Sequence, residues 1–320
     1  GPEGEPDRAY SLVETDEGGF MVAGLSVSVE EIFVSALLTD EDGEQIWFTR
    51  LRTGRCYAVI ELKSGLFLLA GRIDEDALAL VIDNEARIIW ENVYEGPGRS
   101  VFTSVRETDQ GYLFAGTTHN GEDLQNDFWL VRTDEEGEEI WQETYDDSLS
   151  DDRCGGLVSC DGGFVMAGSN LTWDYFLAIR VDQDGNIIWK RRLPLNDSSN
   201  QGCSALTSAP MGFCLVGAST RAGGSNFRAS CLRISSQGAI LWQRMDHFSD
   251  DPDHDYYHSV VTTEDGYIVA TGESREPPPP FRVYFNGILV KLRQVALEPQ
   301  FVFYEPEDTL FSLLLGDTVN

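Results

Sequence analysis

Short apolar segments alternate with polar, glycine-rich turns along almost the whole chain. In the first repeat, residues 10–14, 20–25, 33–39 and 45–51 form four such segments. Clusters of Asp, Glu and Gly separate them, as in tight hairpins. No segment has a sustained 3.6-residue apolar period with capping residues at its ends. The pattern therefore predicts an all-β protein with almost no helix.

Two phrases recur along the sequence. The first is an apolar phrase that ends in glycine and occurs six times, at Gly24, Gly71, Gly116, Gly168, Gly217 and Gly272. Successive final glycines are 47, 45, 52, 49 and 55 residues apart. The second phrase ends in tryptophan and follows the first five, at Trp47, Trp90, Trp141, Trp189 and Trp242. Glycine stands four residues before the tryptophan in four of these phrases, and Ala86 stands there in the second. A repeat of about 50 residues with four strands is typical of propellers.

The repeats predict a six-bladed β-propeller of four-stranded antiparallel blades. A lone blade cannot bury both faces, but stacking covers each face with a neighbour. We predict a single domain over residues 1–306, with repeats at about 7–53, 54–97, 98–147, 148–197, 198–248 and 249–306, followed by a tail at 307–320. The five tryptophans should lie on outer strands and pack between blades. The sixth repeat lacks the tryptophan phrase, and residues 301–304 are predicted to replace its outer strand.

Charge narrows the classes of partner. The chain has 23 Lys and Arg against 54 Asp and Glu, a net charge of −31. Such a surface disfavours nucleic acid and anionic membranes, which need clustered basic residues. No apolar run approaches the roughly 20 residues of a membrane-spanning helix, so no transmembrane segment is predicted. We expect a monomer kept soluble by its charge.

The phrases at 16–24 and 182–189 resemble the PQQ-like propeller repeats of prokaryotic surface and lipoprotein-like proteins. The ending Gly-x-x-x-Trp is similar to the tryptophan-docking motif of quinoprotein dehydrogenases. The resemblance covers roughly residues 7–305, and it implies a propeller fold and an extracellular or cell-surface location, with the cytoplasm as the alternative. Those enzymes typically have eight blades and a vicinal cysteine pair, whereas this chain has six repeats and no such pair. The resemblance therefore supports the fold and leaves activity open.

Arginines recur at the starts of the predicted inner strands. Arg8, Arg55, Arg99 and Arg153 occupy these places in four consecutive repeats, and Asp152 adjoins the last. Guanidinium groups gathered at a channel mouth could hold a carboxylate or phosphate by paired hydrogen bonds. The alternative is that each arginine pairs with an adjacent acid or caps a strand end.

Two further patterns have metal-binding chemistry. His254, His258 and Asp255 lie close together in the sixth repeat and could bind zinc or another divalent ion, although their spacing matches no compact metal motif. Asp40 and Asp42 before Gly43 resemble a fragment of a calcium loop, for which an ordinary hairpin turn is the alternative. No cofactor is predicted beyond Ca²⁺ or another divalent metal at such places.

The chain has six cysteines, of which Cys214 and Cys231 fall in apolar second and third strands of the fifth repeat. No zinc or redox spacing is present among them. Buried free thiols explain them, and a disulfide is the alternative if the protein is exported.

These observations favour a noncatalytic scaffold that binds a protein or a small anionic or saccharide ligand at the cell surface. One alternative is an enzyme with its active site at the channel mouth, either a saccharide hydrolase or lyase or a quinone-dependent oxidoreductase. Another is a structural surface or adhesin module. Fold alone does not decide among them.

Overall fold

The computed structural model describes residues 7–28, 31–119, 125–146, 152–170, 175–196, 198–222, 224–248, 254–276 and 284–292. These residues contain 23 strands and no helix, so none of them forms a helix able to cross a membrane. The predictions for residues 301–304 and for the tail at 307–320 lie outside the described residues.

The first three sheets take their strands in chain order. The first sheet consists of β1 (Asp7–Glu14), β2 (Phe20–Val27), β3 (Ile32–Thr39) and β4 (Gln45–Thr53). The second consists of β5 (Arg55–Glu61), β6 (Phe67–Ile73), β7 (Asp76–Ile82) and β8 (Ile88–Tyr94). The third consists of β9 (Ser100–Thr108), β10 (Gly111–His119), β11 (Asn126–Thr133) and β12 (Glu139–Tyr145).

The last three sheets follow the same plan. The fourth consists of β13 (Asp152–Cys160), β14 (Gly163–Asn170), β15 (Phe176–Val181) and β16 (Ile187–Leu193). The fifth consists of β17 (Ser198–Ala209), β18 (Gly212–Arg221), β19 (Phe227–Ser235) and β20 (Ile240–Asp246). The sixth has three described strands, β21 (His254–Thr262), β22 (Ile268–Glu276) and β23 (Tyr284–Leu292).

Six antiparallel sheets built from consecutive strands are the blades of a six-bladed β-propeller, which confirms the predicted fold class. The strands of the first sheet lie in the predicted order, and each of the four begins or ends one to three residues beyond the predicted bounds. The difference arises because polar residues such as Asp7 and Arg8 continue the backbone ladder past the apolar part of the strand.

The packing divides the chain into two compact units, Gly1–Cys154 and Gly155–Asn320, with the boundary inside β13. In the first unit the inner strands β1, β5 and β9 contact one another in series. One apolar cluster joins the first and second sheets and another joins the second and third. In the second unit, similar clusters join the fourth sheet to the fifth and the fifth to the sixth.

Aspartates shape the turns between third and fourth strands. Asp40 Oδ1 accepts hydrogen bonds from the backbone N–H groups of Asp42, at 3.1 Å, and Glu44, at 2.8 Å. Asp83, Asp134 and Asp182 make the same pair of bonds in the next three sheets. The backbone N–H of Arg87 and other donors lower the pKa of Asp83, and bonds from Asn186 lower the pKa of Asp182. These carboxylates therefore serve as turn-forming groups.

Candidate ligand-binding surface

In five of the sheets, the innermost strand has a β-bulge at the same position of the repeat. The register shifts after Ala9, Cys56, Phe102, Cys203 and Tyr257. The bulge presses the inner strand against the glycine that ends the repeated apolar phrase. A Cβ at Gly71 would overlap the carbonyl oxygen of Arg55, and a Cβ at Gly24 would overlap that of Arg8. This close approach explains why the phrase ends in glycine.

The bulge also defines which residues are equivalent at the inner-strand ends. The carbonyls that approach the glycines of the first three sheets belong to Arg8, Arg55 and Val101. Arg99 thus lies two residues outside this position, and its Nε instead forms an ion pair with Glu75 Oε2 at 3.2 Å. Arg99 therefore does not share the inner-strand position of Arg8 and Arg55: it precedes Ser100, the first residue of β9, whereas Arg8 and Arg55 lie within β1 and β5.

The start of β13 is anchored by the third sheet. The backbone N–H of Cys154 donates to Thr117 Oγ1 at 3.1 Å, and Thr103 Oγ1 donates to the Cys154 carbonyl at 3.0 Å. Arg153 is exposed, but Asp152 is fully buried. Asp152 is therefore withdrawn from solvent and does not present its carboxylate to a dissolved ligand.

Arg55 has a cationic neighbour that its own position in the repeat does not indicate. It lies directly opposite Arg72 in the β5–β6 ladder, so the two side chains project from the same face of the sheet. Both side chains are partly exposed. Within the described part of the chain, neither guanidinium has a carboxylate within ion-pair distance or a hydrogen bond. Two like charges directly opposite each other destabilise a sheet.

Strand alternation shows which way this pair faces. Leu68 and Ala70, four and two residues before Arg72, belong to the cluster between the second and third sheets. Arg72 therefore lies on the same face of β6 as these two residues. Arg99 lies near the same end of β6, because its side chain pairs with Glu75 in the turn after this strand. The Ser100 N–H also donates to the Glu75 carbonyl at 2.7 Å. The first unit thus gathers three arginines and one paired glutamate at one end of two neighbouring sheets.

A sequence signal for Arg72 was available. It follows the final glycine of the apolar phrase, where other repeats have Leu25, Thr117 or Ser169. Antiparallel pairing places the residue after this glycine opposite the residue before the buried inner-strand position. Combining the two phrases with the hairpin register would have brought Arg55 and Arg72 together.

Strand alternation in β21 separates Asp255 from the two histidines predicted to bind a metal with it. His254 Nδ1 accepts a hydrogen bond from the Phe227 N–H at 3.1 Å. His258 stacks on Tyr256 with ring centroids 6.1 Å apart, and its Nε2 lies 3.6 Å from Glu273.

Asp255 belongs to a different set of contacts. It is fully buried, and its Oδ2 contacts His247 Nδ1 at 3.0 Å and accepts a bond from the Phe248 N–H at 3.2 Å. In the described ranges, no three His, Cys, Asp or Glu side chains come close enough to hold a metal ion. The structure therefore does not assemble the predicted site from His254, His258 and Asp255.

Three tryptophans reach the turn of the next sheet within their own unit. Trp47 Nε1 donates to the Asn84 carbonyl at 2.8 Å, and Trp189 Nε1 donates to the Ser236 carbonyl at 3.1 Å. Trp90 packs on Gly137, where a Cβ would lie 2.9 Å from the indole. Gly137 and Gly238, four residues before Trp141 and Trp242, therefore leave room for the indoles of Trp90 and Trp189 in the preceding sheets. Trp141 is half-buried, and Trp242 is 36% exposed.

Arg180 and Arg233 each lie opposite a tryptophan, and Arg180 is partly buried whereas Arg233 is buried. Arg180 pairs in register with Trp189 and donates to the Asp161 carbonyl at 2.6 Å. Arg233 pairs with Trp242 and donates to the Phe213 carbonyl at 2.8 Å, and burial lowers its pKa. These guanidiniums hold backbone turns together, so they are not available to a ligand.

The outer edge of the first unit has a different character. A groove of about 350 Å³ between β12 and the segment that follows β8 is lined by Glu95, Gly96, Pro97, Gln142, Glu143 and Thr144. Its two carboxylates disfavour an anion, so the positive end formed by Arg55 and Arg72 is the better candidate for an anionic ligand.

Comparisons with known proteins support the fold. No family model matches this chain, and no curated protein matches it. The PQQ-like resemblance therefore has no family match behind it.

Solved structures do match. The subtype N10 neuraminidase-like protein of A/little yellow-shouldered bat/Guatemala is 11% identical, with 92% of this chain and 95% of that chain covered and a TM-score of 0.55. The Dos1 propeller is 10% identical over 89% and 80% of the two chains, with a TM-score of 0.52. The WD40 β-propeller domain of Doa1 is 11% identical over 84% and 91%, with a TM-score of 0.50. At these identities the likeness shows the fold alone, and the fold is a β-propeller.

Proposed function

We propose that the protein is a noncatalytic propeller scaffold that binds a carboxylate or phosphate group between Arg55 and Arg72. The observation that carries the proposal is that these two arginines lie directly opposite each other in the β5–β6 ladder, with no carboxylate partner in the described residues. In a chain with 54 acids and 23 bases, acids were abundant enough to neutralise this pair. An anion bridging the two arginines would turn their repulsion into two charge-assisted attractions.

The ligand group follows from guanidinium geometry. A planar fork of N–H donors matches the paired oxygens of a carboxylate or phosphate, and a second guanidinium can take the remaining oxygens. Arg99 forms an ion pair with Glu75, so it adds little net positive charge near Arg55 and Arg72. A small dissolved anion and an acidic side chain of a protein partner both offer this chemistry.

Location remains part of the proposal. The resemblance to PQQ-like repeats of prokaryotic surface proteins, together with the net charge of −31, supports an extracellular or cell-surface scaffold. Residence in the cytoplasm is the alternative, and fractionation of native cells distinguishes the two.

The experiment compares thermal unfolding of wild-type protein, Arg55→Ala and Arg72→Ala with inorganic phosphate and with citrate, at constant ionic strength. Wild-type Tm should rise with anion concentration, and both variants should lose most of that rise. Arg87→Ala is the matched control, because it removes one exposed arginine that already pairs with Asp83 at 2.7 Å. It should respond to anions as the wild type does.

The stability of the variants without added anion provides a second, independent test of the proposal. Removing one of two opposed like charges should leave Arg72→Ala as stable as the wild type or more stable, by up to about 1 kcal/mol. An anion response that is equal in wild type and both variants, or a clear loss of stability in anion-free Arg72→Ala, would contradict the proposal. A peptide rich in Asp and Glu tests whether a protein partner supplies the carboxylate.

A further inference from the structure

Two cysteines of the fifth sheet are in direct contact. Cys214 lies on β18 and Cys231 on the adjacent strand β19, and their Sγ atoms are 3.3 Å apart. In the register, Cys214 pairs with Arg233 and Cys231 pairs with Val216. The cysteines are therefore diagonal neighbours on one face of the sheet. Both are fully buried, in the apolar cluster between the fifth and sixth sheets.

Other described cysteine sulfurs have backbone contacts instead. Cys56 Sγ lies 3.2 Å from the Ala58 carbonyl, and Cys203 Sγ lies 3.6 Å from the Ala205 carbonyl. Burial raises the pKa of Cys56 to about 12, which makes this thiol unreactive. Among the described residues, only Cys214 and Cys231 place two sulfurs in contact.

We propose that Cys214 and Cys231 form a disulfide when the protein folds in the presence of a small disulfide oxidant. A disulfide bond is about 2.05 Å long, so the sulfurs must approach by about 1.3 Å. Diagonal neighbours on adjacent strands have side chains within reach of each other, so side-chain rotation supplies most of this movement. The bond closes a loop between residues 17 positions apart and ties the two central strands of the fifth sheet together.

The chemistry balances by thiol–disulfide exchange. One cysteine, as thiolate, attacks a sulfur of the oxidant, for example oxidised glutathione, and releases one glutathione thiol. The second cysteine then attacks the mixed disulfide, forms the Cys214–Cys231 bond and releases the second glutathione thiol. Two protein thiols are oxidised, one glutathione disulfide is reduced to two thiols, and the two cysteine protons pass to the departing thiolates.

The environment decides when this reaction occurs. The hydrogen bond between Cys231 and Cys214, together with burial, raises the pKa of Cys231 well above its usual range. Thiolate is therefore scarce in the folded sheet, and no oxidant reaches sulfurs that are fully buried. The bond should form before the fifth and sixth sheets pack and should then resist reduction. This is the behaviour of a structural cross-link, and it differs from that of a rapidly reversible switch.

The test is to refold wild-type protein from denaturant with oxidised and reduced glutathione, and in parallel with a strong reductant. Alkylation of free thiols in denaturant, followed by intact mass, counts the thiols. The reduced sample should show all six thiols, and the oxidised sample should show two fewer. Peptide mapping should place the missing pair at Cys214 and Cys231. Six free thiols after oxidative refolding, or a bond between another pair, would overturn the proposal.

Variants add a second readout. Oxidative refolding should raise the Tm of wild-type protein, because the bond restricts the unfolded chain. Cys231→Ala should abolish this rise, while Cys203→Ala should keep it. If Cys231→Ala does not fold, the thiol count on wild-type protein still decides the question. An oxidised Tm equal to the reduced Tm in a cross-linked sample would contradict the stabilising role.

Discussion

At the scale of single residues, one of the turns between third and fourth strands has a residue whose type does not suit its backbone conformation. Ala86 has φ of 62°, in the left-handed region that disfavours residues with a Cβ. The equivalent residues Gly43, Gly137, Gly185 and Gly238 have φ between 78° and 85°. The second turn therefore keeps the conformation of the others although it lacks their glycine.

We predict that Ala86→Gly stabilises the protein by about 0.5–1 kcal/mol, because relief of the left-handed strain exceeds the entropy that glycine adds to the unfolded chain. Urea unfolding followed by circular dichroism measures the change. Gly43→Ala is the reverse control. Its new Cβ would meet no atom within 4 Å, so only the backbone conformation would change the free energy of unfolding. It should destabilise by about 1 kcal/mol. A loss of stability in Ala86→Gly would mean that the methyl group makes a packing contact worth more than the strain.

The positions of the arginines in the repeat predict only part of their arrangement in the structure. Sequence position alone grouped Arg55 with Arg99, since both stand near the start of an inner strand. The bulge register separates them, because it is set by backbone contact with Gly71 and Gly116. The true neighbour, Arg72, belongs to another strand. Arg72 cannot be identified from the residues at the starts of inner strands unless the pairing register of the two strands is known.

At the scale of the strand and its motif, five similar tryptophan phrases lead to different environments. Trp189 is 5% exposed, packs on Gly238 and donates a hydrogen bond to the Ser236 carbonyl. Trp242 ends the same phrase one sheet later but is 36% exposed. The energetic weight of the motif therefore depends on the neighbouring sheet and cannot be read from the motif itself.

We predict that Trp189→Ala costs about 3–5 kcal/mol, as expected for a large buried side chain. Trp242→Ala should cost less than half as much, because less contact area is lost. Trp189→Phe keeps a ring against Gly238 and should cost less than Trp189→Ala, with the lost hydrogen bond contributing about 1 kcal/mol. Urea unfolding followed by circular dichroism avoids any dependence on the removed fluorophore. Equal costs for Trp189→Ala and Trp242→Ala would show that exposure does not control the contribution of these indoles.

Strand identity was predictable because its physical cause is local. Apolar runs such as 20–25 and aspartate-initiated turns such as that at Asp40 both act within a few residues. Contacts between strands were harder to predict, because they depend on register and on strand alternation. The separation of Asp255 from His254 and His258 is an example: adjacent residues of β21 point to opposite faces.

At the scale of the whole molecule, the excess of acidic residues is the dominant electrostatic feature. A net charge of −31 makes the compact chain repel itself more strongly than the expanded one does. The described ion pairs, such as Lys63 with Asp109 at 3.8 Å, are mostly exposed and compensate little. Stability should therefore depend on the screening of carboxylate repulsion.

We predict that NaCl stabilises the protein at neutral pH. Between about 0.01 M and about 1 M salt the screening length falls from about 30 Å to about 3 Å. The resulting gain should reach at least about 1 kcal/mol, seen as a Tm increase of about 2 °C or more. Thermal unfolding in NaCl and in KCl should give the same rise, because screening depends on ionic strength and not on the identity of the monovalent cation.

The salt effect should become smaller at about pH 5, where ordinary Glu and Asp side chains begin to protonate and the net charge falls. The turn carboxylates do not contribute to the difference in the salt effect between neutral pH and about pH 5. Asp83 and Asp182 have pKa values below the unfolded value of 3.8, so their stabilising bonds are fully present above that value and are lost only as the pH falls through the lower folded pKa. At pH 5 both remain ionised in the folded and unfolded states. A salt gain that is absent at neutral pH, or that grows as the pH is lowered to 5, would show that carboxylate repulsion does not limit the stability of this propeller.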